Sequence, residues 1–295
     1  MPQMPQTRSS VIAKNSRIWD EVTHRWLRIP YALHVHEDVR STKKPRATIL
    51  FIHGIGNSGA AWDDVMKQLP DDLRLVSIDL LGFGNSKRPA WAIYNVKTQA
   101  RAILATYLKL RIGGQVTIVG HSLGALVAVE IAKRYPLLVK SLILCSPPFY
   151  RNDEIKKRLF PESDQLLKSL YRRMISRPEE LLVVSRAAKQ LGIVNRSFNL
   201  TEHNSASFTN ALEASIINQT SLQDAVKLKT PTYVLYGQLD PVVIQKHLRY
   251  LASHNPNVEL QSVIAGHEVV GRFVQAVVQT INQALDSSAK TSSGV

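Results

Sequence analysis

The stretch that most constrains this chain is QVTIVGHSLG, residues 115–124. The β-branched run Val116-Thr117-Ile118-Val119 predicts a short strand, and Ala125–Tyr135 predicts a helix that stops at Pro136. Only GHSLG links the two. So short a link forces a sharp turn with a strained central residue, and the residues two before and two after it must be small for strand and helix to approach. Gly120 and Gly124 meet that need, and Ser122 sits at the tip. Its hydroxyl would stand clear of the sheet at the positive end of the following helix. The other reading is a structural serine in a glycine-rich turn; the strand–turn–helix setting favours a nucleophile.

The rest of the chain repeats the same rhythm. Arg28–His36 alternates apolar and polar residues, which predicts a half-buried antiparallel strand. Ala47–Ile52 is a near-continuous apolar run, as expected of a strand buried on both faces of a parallel sheet; Leu73–Ile78 is the next buried strand, and Val139–Cys145, Thr232–Tyr236 and Val258–Ile264 are predicted as further strands. Helices are predicted at Ile12–Trp19, Ala60–Leu69, Val96–Leu110 and Arg272–Leu285, and Pro241 opens another after Asp240. Strand–loop–helix repetition implies right-handed crossovers, helices on both faces, and functional groups at the carboxyl ends of the strands. Residues 149–222 break the rhythm: they are polar, basic and helical in period. The expected organisation is therefore a core at 1–148 and 223–286, a helical cap inserted at 149–222, and a flexible tail at 287–295.

Composition narrows the partners. The chain is 44% hydrophobic with 20% charged residues, within the globular range. Its formal net charge of +14 raises the question of a polyanionic partner. The basic residues are dispersed, with small groups at Lys43-Lys44, Lys156-Lys157-Arg158 and Arg172-Arg173, and no nucleic-acid motif accompanies them. A basic solvated surface is the simpler expectation, with no nucleic-acid partner. The single cysteine, Cys145, lies in an apolar run, precludes an internal disulfide and fits a reducing compartment. No secretory core and no transmembrane-length apolar run occur, so a cytoplasmic protein is expected. No metal-ligand spacing appears. GIGNSG at 54–59 lacks the setting of a dinucleotide loop, so neither metal nor cofactor is expected.

Five short motifs arrive in one order, HGIG at 53–56, DLLGFGNS at 79–86, GHSLG at 120–124, GQLD at 237–240 and GH at 266–267, and the resemblance they carry extends over roughly residues 28–286. In this the chain resembles the α/β-hydrolase fold family with a cap. The resemblance implies Ser122 as nucleophile, His267 as its base and Asp240 as the acid orienting His267, in the chain order Ser, Asp, His that this fold uses. A histidine suits the base because it accepts and returns a proton near neutral pH. Asp240 could equally cap the turn at Pro241, and Asp79, at another strand end, competes for the acid's place. The oxyanion hole would comprise the backbone N–H groups of Ile55 and Leu123. His53, Gly54, Gly120 and Gly124 would shape the loops, and His121 would pack beside the nucleophile. Haloalkane dehalogenases and most epoxide hydrolases of this fold place Asp where Ser122 stands, which disfavours those chemistries.

The reading that follows is a serine hydrolase cleaving a small-molecule carboxylic ester or related acyl substrate through an acyl-enzyme. The cap would select among esterase, thioesterase, lactonase, lysophospholipase, C–C hydrolase and acyltransferase variants. A ligand-binding protein that kept the fold but lost turnover is the alternative. The sequence assigns no oligomeric state.

Overall fold

The computed structural model describes residues 18–40, 42–150, 172–173, 176–190 and 194–292. Seven strands form one sheet: β1 (Val35–Arg40), β2 (Thr48–Ile52), β3 (Arg74–Ile78), β4 (Val116–His121), β5 (Val139–Cys145), β6 (Thr232–Gly237) and β7 (Val258–Val263), in the order β1-β3-β2-β4-β5-β6-β7. β1 is antiparallel to β3; every other neighbouring pair is parallel. The helices are α1 (Asp63–Met66), α2 (Val96–Lys109), α3 (Leu123–Arg134), α4 (Pro178–Gln190), α5 (Glu202–Ala211), α6 (Ser221–Val226), α7 (Gln245–His254) and α8 (Arg272–Ser292).

Every residue of β2, β3 and β4 is buried, and burial on both faces is why β2 reads as a near-continuous apolar run. Two cores result, one on each face. Leu50 and Ile52 pack with Ile103 of α2 and Leu126 of α3, whereas Ile49 and Phe51 pack with Trp62 and with Phe273, Val277 and Ile281 of α8. The chain passes from β2 to β3 on one side, then returns to β4 on the other. The loops leaving β2 and β4 therefore diverge, opening a crevice at the carboxyl edge where such sheets place their ligands.

Several boundaries differ from the sequence expectation for local reasons. The strand expected at 28–36 begins only at Val35. Tyr31 and Leu33 are buried and Ala32 and His34 exposed, so the alternation is real, but Leu33 and His34 donate their N–H groups to Thr106 Oγ1 and Ser86 Oγ and not to a strand. The helix expected at 60–69 is a 3₁₀ turn, Gly59–Trp62, running into α1. No helix starts at Pro241; α7 begins at Gln245. The closing helix runs on to Ser292, so residues 287–292 of the expected tail are helical. Most of the helix expected at Ile12–Trp19 and the group Lys156-Lys157-Arg158 lie outside the described residues. Between β5 and β6 the described residues hold α4, α5, a π turn at Leu212–Ile217 and α6, and no strand.

The antiparallel edge is fastened by a pair whose two members differ in exposure. Asp38 of β1 accepts two bonds at 2.8 Å from the Arg74 guanidinium, which is 4% exposed. These bonds hold the Asp38 carboxyl at about 2 despite the opposing effect of burial. Asp38→Ala would leave a buried guanidinium without its carboxylate and should cost about 2–3 kcal/mol, read as a lower urea midpoint. Because the folded-state value is depressed, the stability from Asp38 is present above the unfolded carboxylate value, about 3.9, and is lost as pH falls through about 2.

Candidate active site

Ser122 stands between β4 and α3 with φ 52° and ψ −115°, a conformation unfavourable for a residue with a side chain. The turn is held by the Ser122 N–H bonding to Cys145 O at 2.9 Å. Its two glycines are required by contact. A Cβ on Gly120 would lie 2.5 Å from Gly124 O, and one on Gly124 would lie 2.3 Å from Ile52 O. Strand and helix therefore meet at backbone distance, and the hydroxyl is aimed at the crevice.

His267 follows β7 and Asp240 follows β6, and neighbouring strands deliver both to the same edge. Ser122 Oγ lies 3.1 Å from His267 Nε2, and His267 Nδ1 lies 2.8 Å from Asp240 Oδ2. Asp240 Oδ1 meanwhile accepts the N–H groups of Val242 at 2.8 Å and Val243 at 3.2 Å, so one carboxylate both caps its turn and faces the imidazole. Burial opposes ionisation of Asp240, yet its bonds from His267 and Val242 outweigh that and hold it below the usual carboxylate range. Burial likewise lowers His267, but the hydrogen bond and charge of Asp240, with a smaller contribution from Glu268, raise it above the ordinary histidine value. The arrangement can take a proton from the hydroxyl and stabilise the resulting imidazolium.

Asp79, the competing acid, is elsewhere. Its carboxylate accepts the N–H groups of Gly59 and Asn85, both at 2.7 Å, and faces His34 Nδ1 at 3.0 Å. It ties the loop after β3 to the loop after β2.

The backbone N–H groups of Ile55 and Leu123 have no acceptor among the described residues. The Ile55 amide belongs to the Gly54–Ile55 peptide, whose plane is set by His53. His53 Nε2 accepts the Leu80 N–H at 2.9 Å, which leaves Nδ1 to donate to Gly54 O at 2.7 Å. Burial keeps His53 neutral, with its value down to about 4, so this pattern persists across the neutral range. Gly54 makes room for protein and not for a ligand, since a Cβ there would lie 2.8 Å from His121 Nδ1. The Gly56 carbonyl accepts the Asn199 N–H at 2.8 Å and Asn57 Oδ1 accepts the Ser197 hydroxyl at 2.9 Å, so the segment between α4 and α5 is stitched to this loop.

Sequence reasoning underrated two neighbours. His121 does more than fill space: its Nε2–H donates to the His267 carbonyl at 2.9 Å and anchors the loop carrying the imidazole. Glu268 acts electrostatically on His267 and His121. Its adjacency to His267 was the only signal available. Among the described residues no group of three or more His, Cys, Asp or Glu side chains is arranged to hold a metal, and no helix is long and apolar enough to cross a membrane.

The sheet order, the loop placement and the comparisons with known proteins define the class together. A family model described as alpha/beta hydrolase fold matches residues 47–189. The chain has the α/β-hydrolase fold. It is 33% identical over 131 residues to "Probable lysophospholipase BODYGUARD 4" of Arabidopsis thaliana, covering 41% of this chain and 31% of that protein. It is 43% identical over 98 residues to an uncharacterized protein of Mycobacterium tuberculosis, covering 33% and 28% respectively. The matched stretches thus span less than a third of either relative. Among solved structures it is similar to an esterase from Exiguobacterium antarcticum, with a TM-score of 0.70 at 17% identity over 87% of this chain and 99% of that one. A thermophilic esterase from Thermogutta terrifontis gives 0.67 at 20% identity over 87% and 93%.

Proposed function

We propose that the protein is a serine hydrolase acting on a carboxylic ester or related acyl substrate. The observation that carries this is the unbroken line from Ser122 Oγ to His267 to Asp240, with separations of 3.1 and 2.8 Å. Ser122 Oγ attacks the carbonyl carbon while His267 Nε2 takes its proton. The carbonyl oxygen becomes an oxyanion facing the Ile55 and Leu123 N–H groups. His267 then returns the proton to the leaving alcohol. Water, deprotonated by the same imidazole, cleaves the acyl-enzyme and frees Ser122. The name of the plant relative makes a lysophospholipid one substrate to test, alongside simple esters. A reducing cytoplasm suits the lone buried Cys145.

A series of p-nitrophenyl esters of rising chain length, with fluorophosphonate labelling in parallel, tests the proposal. Turnover and labelling of Ser122 support it. An unlabelled, inactive wild-type protein refutes it and leaves the ligand-binding alternative. Acyltransfer is distinguished by ester formation with an added alcohol, and C–C hydrolysis by turnover of a vinylogous diketone.

Two further outcomes follow from the surroundings. Activity needs neutral His267, so it should rise as pH climbs through the raised histidine value. Glu268→Gln removes one raising influence, so the acid limb of kcat/KM should move to lower pH with the plateau nearly unchanged. His53→Ala frees the Gly54–Ile55 peptide plane and should lower kcat about 10²-fold with a smaller change in KM, the scale of losing one oxyanion donor.

A further inference from the structure

The four tryptophans divide sharply. Trp62 is buried and Trp91 half-buried, but Trp19 and Trp26 are 69% and 74% exposed. Both lie in the short helical stretch that precedes β1; Ile18 within it and Leu27 and Ile29 just after it are also exposed, and Ile29 and exposed Ile93 line one cavity. The stretch is anchored. Arg28 closes it at φ 56°, returning the Ile29 N–H to Thr23 O at 3.1 Å. The His24 ring stacks on Tyr31 at 3.6 Å, the Tyr31 hydroxyl donates to Asp20 at 2.6 Å, and Arg101 of α2 donates to Arg28 O at 2.8 Å. The apolar side chains are therefore held outward by a fixed frame.

We propose that this face docks on an anionic lipid surface, seating a lipid headgroup phosphate between Arg28 and Arg101. Both arginines line a cavity of about 300 Å³ whose walls include Tyr31, Trp91 and Ile93. Both carboxylates of the segment are engaged, Asp20 by Tyr31 and Glu21 by Arg25, and among the described residues no carboxylate meets Arg28 or Arg101. Lys97 adds a cation one helical turn before Arg101. Indole rings prefer the headgroup level of a bilayer, aliphatic side chains enter the acyl boundary, and cations are drawn by acidic lipids. Aliphatic groups beside the arginines serve a bilayer and not a nucleic acid. A second copy would bring the same cations face to face on a chain of net charge +14. The inference does not depend on the hydrolase reading.

The test is co-sedimentation of the full chain with phosphatidylcholine vesicles, with and without phosphatidylglycerol. Wild type should pellet with the phosphatidylglycerol vesicles and be released by salt. Arg28→Gln and Arg101→Gln should each weaken partitioning about fivefold, and Trp26→Ser with Leu27→Ser about tenfold or more. Unchanged thermal midpoints and circular dichroism would show that these variants remain folded. Wild type failing to pellet overturns the proposal. Variants binding as wild type overturn it too. A dimer abolished by Trp26→Ser assigns the face to a second copy and likewise overturns it, and so does a preference for a DNA or RNA oligonucleotide over the vesicles.

Discussion

Ser122→Ala is expected to lower ester turnover by about 10⁶-fold in kcat, and His267→Ala by a similar amount, because either change removes a unit that acts as a whole. On the proposed mechanism the double variant should be scarcely worse than either single one, since a nucleophile without its base and a base without its nucleophile are equally idle. The small remainder would come from binding and from the two backbone amides, which neither change touches. Ser122→Ala also relieves nothing in the elbow: φ stays at 52° because the Ser122 N–H still bonds to Cys145 O. The folded protein should therefore persist, unlabelled by a fluorophosphonate. Turnover within tenfold of wild type would refute the assignment of Ser122.

Asp240→Asn is expected to cost about 10⁴-fold in kcat, less than loss of the nucleophile. The amide cannot stabilise the imidazolium, and its NH₂ group facing Nδ1 would favour the wrong tautomer. Without the carboxylate charge the His267 value falls, so the residual activity should persist to lower pH than in wild type. Asp79→Asn provides the control. Its carboxylate holds the Gly59 and Asn85 amides, so its loss should lower the thermal midpoint while the acid limb stays in place. Near-wild-type turnover in Asp240→Asn with an inactive, folded Asp79→Asn would reverse the assignment of the acid.

Much of the fold was legible because it rests on local pattern. The run ending at Ile52 is nearly all apolar, and those ending at Ile78 and Cys145 largely so, because both faces of a parallel strand are buried and burial selects residue type directly. The failures occurred where the same signal has two causes. Alternation at 28–36 marks burial of Tyr31 and Leu33, but burial does not require a strand when side chains such as Thr106 and Ser86 satisfy the backbone. The helix expected after Asp240 did not begin at Pro241, because the Asp240 carboxylate closes a tight turn first.

From the sequence alone came the succession of strands and helices, the sharp turn at Ser122, and, through the resemblance to the α/β-hydrolase fold, the expectation that residues near 53, 122, 240 and 267 share one edge. The first two depend on periodicity and on glycine's freedom from steric contact, the third on five motifs in the order of that fold. Only the tertiary structure decided that Asp240 and not Asp79 faces His267, that His53 orients the Gly54–Ile55 peptide, that Glu268 bears on the imidazole, and that Trp19 and Trp26 stand exposed on a stretch that Arg101 fastens. Those relations join groups far apart along the chain. Their distances, and the balance of burial against charge that follows from them, exist only once the crossovers have placed neighbouring loops side by side.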